Sequence, residues 1–391
     1  MKQSRRDLLI KFRNGSALLL LPWVGACSLP RRSDQPPASK KNLTFFTIEN
    51  QIADHPNGHI VGGQTALHFY EPIFGTLQTI SLPMKFPHSI IRSPHNSAIA
   101  VIAPREESLA LVVDLANGKV LRRLELANGE YFYGHGFFEP KGTSIFLTGS
   151  DSAGKGFFRE FDSDFNPIGD IDTFGESPHD CALIDGGKTI VVANTAWHSR
   201  GDFNLKKSSS ISYIDFASRK LVDQIKLPMG YLAFQHLVCL ESGDLIAACD
   251  DYSKNIQRHG GASLLAYRRR NGPLEFLACP LEFRKRMAGN TLSIAWDVAS
   301  QTVVTTTPNG PLTVWSLKSM SAIRQELDNR HPHGVTLTEA SEFLVTTANS
   351  GIWRATLTNG ELQPFKELRP AISPNISAHS AWTEPRQKKP T

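Results

Sequence analysis

The sequence lacks the short spacings that announce most enzyme classes. It holds no CxxC pair, no CxxCH haem run, no HExxH, no GxSxG elbow and no P-loop. That removes the dithiol, haem, zincin, hydrolase and nucleotide-binding readings those spacings support. No pair of carboxylates of the glycosidase type is identifiable either. A basic stripe is also missing. The formal net charge is +5, but Lys2, Arg5, Arg6, Lys11 and Arg13 are concentrated at the N-terminus against Asp7 alone. With residues 1–26 set aside, 37 basic residues face 36 acidic ones, which excludes a nucleic-acid partner held by backbone electrostatics. Helical periodicity is sparse, and Leu281 to Met287 is the one short stretch that suggests a helix.

Long apolar runs are lacking too, and this decides how the N-terminus is read. Ser4-Arg5-Arg6-Asp7-Leu8-Leu9-Ile10-Lys11 resembles the twin-arginine export signature, a receptor-read address for folded cargo. The apolar segment Ala17 to Val24 behind it is too short to span a bilayer. It ends in Val24-Gly25-Ala26-Cys27, which looks like a lipobox with Cys27 as the lipidated first residue of the mature chain. Cleavage near Ala26 with an incidental cysteine is the plainer alternative. Ser28 to Lys41 is rich in Ser, Pro, Arg and Lys, as a tether between an anchor and a domain would be. The expectation is a signal peptide over 1–26, a tether over 27–41, a folded domain over 42–384 and a tail over 385–391. Ser28 in the second mature position resembles outer-membrane sorting in Gram-negative bacteria. The chain is therefore expected on the periplasmic face of the envelope, touching membrane only through its lipid.

What is present is a repeat. Between Gly134 and Asn194 the same unit occurs twice: a histidine, an apolar run, a Gly-containing turn and a β-rich run. His135 leads into Phe137-Phe138, Lys141-Gly142 and Ser144 to Thr148. His179 leads into Ala182 to Ile184, Asp185-Gly186-Gly187 and Thr189 to Ala193. Each reads as an antiparallel hairpin with a histidine at its entrance. The unit recurs at His88, His236 and His333, and Leu292 holds the equivalent place in an otherwise matching copy. Two further β-rich runs follow each hairpin, for example Ser108 to Asp114 with Lys119 to Leu126, or Ile211 to Phe216 with Leu221 to Leu227. The start of the domain supplies three strands (Leu43 to Ile48, Ala66 to Tyr70, Thr76 to Leu82) and the C-terminus a lone first strand, His379 to Trp382. Joined, they complete a unit and leave no open sheet edge. Units roughly 40–60 residues long, four strands each, predict an all-β, seven-bladed propeller of the WD40/YVTN kind, closed by strands from both chain ends. The longer spacings place loops at 196–207 and 251–261.

Six of the thirteen histidines then share one phase of the repeat: His88, His135, His179, His236, His333 and His379. First strands of propeller blades line the central channel, so these six would form a ring at one level. Converging neutral imidazoles prefer transition metals such as Cu, Fe, Zn and Ni. The arrangement is similar in outline to the histidine-lined copper centre in the propeller of nitrous-oxide reductases. The alternative is structural, with each histidine hydrogen-bonding the next blade's backbone. Lone histidines such as His68 and His95 read as surface or satisfied residues. Asn194, Asp250, Asp251, Asn349, Tyr131, Tyr133 and Glu139 lie close enough in sequence to reach the channel mouth, and the polar loop of Asp54, His55 and His59 has ligand chemistry without a recognised spacing. Beyond Cys27 there are Cys181, Cys239, Cys249 and Cys279; Cys239 and Cys249 flank a Ser-Gly turn, and both a cross-hairpin disulfide and free thiols are open.

Several segments resemble an uncharacterised family of bacterial twin-arginine-exported propeller proteins, classed as a domain of unknown function. They are Ile80-Ser81-Leu82-Pro83 running into His88, Phe132-Tyr133-Gly134-His135-Gly136, Ser177-Pro178-His179 with Val191-Val192-Ala193-Asn194, His236-Leu237, and the FLACPLEFRKRM run before Leu292. Gln235 stands where that family commonly has Arg, and Thr195-Ala196 where it has Gly-Gly. The resemblance implies a seven-bladed propeller. It also implies a neighbourhood of imelysin-like, iron-regulated envelope proteins, and hence iron or copper handling. The expected function is an envelope lipoprotein that binds iron or copper through the six histidines, accessory to metal uptake or redox handling. A non-catalytic platform for an imelysin-like partner is the alternative. A propeller enzyme of the lactonase kind is disfavoured, because histidines occupy the positions where a Glu/Asn/Asp calcium set would be needed.

Overall fold

The computed structural model describes residues 45–53, 61–70, 77–84, 87–96, 98–196, 208–227, 231–251, 263–287, 291–307, 310–328, 330–338, 340–347, 351–369 and 377–382. For 45–53, 61–70 and 377–382 the account is confined to backbone pairing. The expected leader, lipobox, tether and tail, the 54–59 loop, Asn349 and nearly all of the loops at 196–207 and 251–261 lie outside the described residues.

The described chain is almost entirely antiparallel β-structure. Each unit is a meander of four strands hydrogen-bonded in chain order. The clearest is Pro178–Ile184, Thr189–Asn194, Ser210–Asp215 and Lys220–Lys226. The same order holds from Leu232–Cys239 to Leu274–Phe276 and from Ser293–Asp297 to Ser321–Glu326. The sheet opened by Pro332–Leu337 ends instead with Lys366–Arg369 paired to Gly351–Thr358. Two units are fused into one larger sheet, because Ile99–Glu107 runs on to pair with Glu130–Phe138 through Arg105 opposite Tyr133. The strand Ser377–Trp382 pairs with Phe45–Ala53, so strands from both ends of the sequence share a sheet. The helix expected near Leu281 is present as Leu281–Arg286.

Burial explains the sequence pattern within a unit. Second strands are continuous apolar or small-polar runs because both of their faces are covered: every residue of Leu245–Asp251 and of Thr302–Thr306 is buried. Fourth strands are polar and largely exposed, as in Lys119–Glu125 and Lys220–Lys226. The core lies between neighbouring sheets. Phe137, Phe146, Phe158 and Ile171 of one sheet pack on Ile190, Val192 and Ile214 of the next. Each such side chain contributes about 1.5–3 kcal/mol by leaving water. The turns between third and fourth strands repeat one device, an aspartate at the strand end whose carboxylate caps the turn. Asp114 accepts the Ala116 amide at 2.8 Å, Asp162 the Asn166 amide at 2.8 Å and Asp215 the Ser218 amide at 2.8 Å.

Candidate metal centre

The phase-sharing histidines sit at irregularities in the ladder between first and second strands. On the first strand, an extra residue is inserted at Pro87–Ser89, at Pro178–Cys181, at Phe234–Leu237 and at Pro332–Gly334, and two are inserted at Phe132–Gly136. These insertions contain His88, His179, His236, His333 and His135. The pairing of Ser377–Trp382 breaks in the same way between Ala378 and Ala381, around His379. The first strand that follows Leu292 pairs without any shift. A bulge leaves an unpaired residue and re-aims its side chain, so in this repeat histidine and bulge occur together. The residue before the histidine is Pro87, Pro178 or Pro332 in three of these strands, and a bulge tolerates the missing N–H. Histidine does not always stand at the hairpin entrance, as the sequence suggests. In Glu130–Phe138 and Leu232–Cys239 the strand starts well before it.

Backbone groups freed by the bulges find local partners. The Thr148 hydroxyl accepts from the His135 amide at 3.1 Å and donates to the His135 carbonyl at 3.0 Å. The Thr346 hydroxyl accepts from the Gly334 amide, and Thr306 donates to the His333 carbonyl. Gly134 is fixed by two requirements. Its φ is +108°, and a Cβ there would lie 2.5 Å from Cδ2 of the His88 ring.

Four bulges aim their imidazoles at one another. One ring nitrogen each from His88, His135, His179 and His236 lies within 4.8 Å of all the others, a group that could hold a metal ion. The rings are mutually packed: centroids are 4.9 Å apart for His88 and His135, 4.7 Å for His179 and His236, and 5.0 Å for His135 and His179. Tetrahedral binding at metal–nitrogen distances of about 2.0–2.1 Å requires nitrogens about 3.4 Å apart. A small inward movement would therefore close the set.

The outer edges of these rings are held by acceptors. Nδ1 of His135 is 3.1 Å from one oxygen of Asp180, and Nδ1 of His236 is 3.4 Å from the other. The Leu237 amide donates to that second oxygen at 3.0 Å. Nδ1 of His179 donates to the Tyr133 carbonyl at 3.2 Å. A carbonyl or carboxylate can only accept here, so each Nδ1 carries the proton and each Nε2 keeps its lone pair. Nε2 of His135 is buried and makes no hydrogen bond. This is the outer-shell arrangement that orients metal-binding imidazoles and raises their basicity. Electrostatics agree. Burial drives His135 down to about 4, against the pull of Asp180 and assisted by His236 and Arg105. Burial likewise holds His179 well below the ordinary histidine value, reinforced by Arg105, His236, His88 and His135. Burial would raise Asp180, but His135, His236 and the Leu237 amide outweigh it and keep the carboxylate ionised. His135 and His179 are thus held as neutral imidazoles, and one carboxylate braces His135 and His236.

The other candidate residues have different positions. His333 is buried but stands outside the four-ring group among the described side chains. The side chain of His379 lies outside the described residues. Asn194 is buried and donates to the Thr173 carbonyl and the Ser212 hydroxyl. Asp250 accepts the Thr291 amide, Asp251 faces Arg284 at 3.7 Å, and Glu139 accepts from Thr143. All of these have structural duties. His95 is exposed and contacts the Pro140 carbonyl. Cys181, Cys239, Cys249 and Cys279 are free thiols. Cys239 lies opposite Leu245 and Cys249 opposite Phe234, so the two do not face across their hairpin. Burial raises the Cys181 and Cys249 thiols, leaving them protonated and poor ligands. Sequence reasoning missed Asp180. Its signal was adjacency, an acid directly following a phased histidine.

A cavity of about 380 Å³ opens beside the cluster, lined by His88, His135, His236 and Asp180 and also by Leu292, Ile294, Val335 and Leu337.

Comparison with solved structures shows the fold to be a propeller. Hydrazine synthase of Kuenenia stuttgartiensis superposes with a TM-score of 0.56 at 13% identity, over 79% of this chain and 90% of that one. The Cps50 (Swd1) β-propeller domain of Myceliophteria thermophila superposes with a TM-score of 0.51 at 11% identity, over 73% and 90%. At such identities the likeness concerns architecture alone. No curated protein matches the sequence. The model of the family described as a protein of unknown function, DUF1513, matches residues 81–369, and the chain belongs to that family.

Proposed function

We propose that this protein is a metal-binding propeller of the bacterial envelope, and that His88, His135, His179 and His236 bind the ion through Nε2 or its equivalent. The observation that carries the reading is the convergence of four imidazoles, three of which have their outer nitrogens occupied by Asp180 and the Tyr133 carbonyl. Imidazole donation suits copper, iron, zinc or nickel, and the family resemblance points among these to copper or iron. Bound there, the ion would supply affinity for an exogenous ligand or one-electron chemistry. The protein's own part is to hold four imidazole donors together, three of them fixed from behind by Asp180 and the Tyr133 carbonyl. His333, with its carbonyl bonded to Thr306, fits the role of joining units rather than binding metal.

The same proposal reads the four-stranded units as seven blades. Support comes from the pairing of Ser377–Trp382 with Phe45–Ala53 and from its packing against both Pro332–Leu337 and Pro87–Arg92. It includes export by the twin arginines, anchoring through Cys27 and a role accessory to metal uptake or redox handling, with an envelope partner of the imelysin-like kind. The test is metal analysis of protein purified from the periplasm. One equivalent of iron or copper is expected in the wild type and none in His135→Ala or His179→Ala. Metal-free wild-type protein that also refuses added copper and iron would end the reading.

A further inference from the structure

The donor set is one-sided. Four consecutive units contribute an imidazole, and the next contributes Leu292 on a first strand without a bulge. Where a further ligand would stand, the protein has the cavity of about 380 Å³. That volume lies in the range of roughly 300–1,000 Å³ typical of small-molecule sites, well beyond what a bare ion needs. Its apolar wall is Leu292, Ile294, Val335 and Leu337. The hydroxyls along it are engaged, since Ser89 donates to the Gly134 carbonyl and Ser293 to the Val335 carbonyl at 3.1 Å. No lysine or arginine is among the lining residues. Both Asp180 oxygens are also engaged. Among the described lining side chains, the buried polar atoms without a partner are Nε2 of His135, an electron-pair donor to an ion, and the indole Nε1 of Trp296, which can only donate a proton.

Resting on the metal-binding reading, we infer that the cavity is a ligand site: it takes a small, neutral or singly charged molecule with one nitrogen, oxygen or sulfur donor directed at the histidine-bound ion and an apolar body against the Leu292–Val335 wall. A propeller that only stored or passed on the ion would need no such wall. An all-protein cage would place a seventh phase-matched histidine at 292. Open space lies beside the four donors instead, and an ion such as copper or iron, which accepts more than four ligands, would have room there for an outside donor atom.

The test uses the full chain loaded with Cu(II), titrated with imidazole and with 1-butylimidazole while the visible and EPR spectra are followed. Saturable spectral change with both probes is expected, with at least tenfold tighter binding of the butyl compound because its chain leaves water. Leu292→Asp should erase that preference at an unchanged copper-to-protein ratio after gel filtration. Val335→Asp provides the same test from the next unit should the first variant fold poorly. Bound copper whose spectrum ignores both probes, or equal affinities for the two, overturns the inference and leaves the metal reading standing. Failure to bind copper, and iron offered in its place, overturns the metal reading and this one with it.

Discussion

Two neighbouring arcs, built on the same repeat pattern, reach different ends. Along the first, His88, His135, His179 and His236 each sit in a bulge and meet in one group. Along the second, Leu292 precedes a regular ladder, and His333 has its bulge without joining the group. The repeat supplies position and the bulge supplies aim, but neither is sufficient. The difference is made by what stands behind the rings. The first arc has Asp180, which reaches back to His135 and across to His236, and the Tyr133 carbonyl, which fixes His179. At His333 the bulge is tied to its neighbours through backbone groups: its carbonyl accepts from Thr306, and the next amide donates to Thr346.

The largest effect should come from setting the arcs against each other directly. His179→Ala removes a buried ligand at the centre of the group and should abolish stoichiometric metal binding. His333→Ala should leave it intact and lower only stability. Elemental analysis and isothermal titration on both variants give the answer, and equal metal loss in the two would erase the distinction. Asp180→Asn comes next. The amide can still accept from the Leu237 N–H, but it replaces a charge that supports two rings. Loss of an outer-shell carboxylate typically lowers metal affinity by about 10–100-fold, measurable by competition with a chelator, while an unchanged affinity would make Asp180 incidental.

Acid should act on the first arc alone. In the metal-free protein His135 titrates near 4 because burial disfavours its charged form, whereas an unfolded chain takes up that proton near the ordinary histidine value of about 6.5. Between those values the unfolded state binds more protons, so stability is full above about 6.5 and falls as pH drops towards 4. The loss is on the order of 3 kcal/mol from this ring. Denaturant unfolding of wild type and His135→Gln across that window should show the slope shrinking in the variant.

Much of the fold could be read from the chain because a propeller declares itself by period. Turn residues, buried second strands and polar fourth strands recur, and each unit repeats the statement. Pro87-His88, Pro178-His179 and Pro332-His333 even carried a local sign of the bulge. The site was legible only as a phase. Sequence could place His333 level with His179, but not tell that Asp180 stands behind one group of rings and not the other, since Asp180 and His236 are brought together by adjacent units across 56 residues. The apolar wall was equally silent. Leu292 reads as an exception in a histidine series, and only packing shows that the exception borders a cavity.

The smallest effects test whether the first arc is also the tighter-built region. Gly134 and Gly186 both have positive φ, +108° and +64°, and both tolerate a side chain poorly on backbone grounds. Their surroundings differ. At Gly186, on an outer turn, an added Cβ meets nothing within 4 Å, so Gly186→Ala should cost only the conformational term, about 1 kcal/mol. At Gly134 the same methyl would fall 2.5 Å from the His88 ring, which cannot withdraw without leaving the group. Gly134→Ala should therefore cost about 1–3 kcal/mol more from overpacking and also weaken metal binding. Gly186→Ala should leave the metal untouched. Paired unfolding and titration measurements decide whether strain at Gly134 is transmitted to the donors. If both variants lose the same stability and keep full affinity, His88 has room to move, and it would then be the most weakly held of the four ligands.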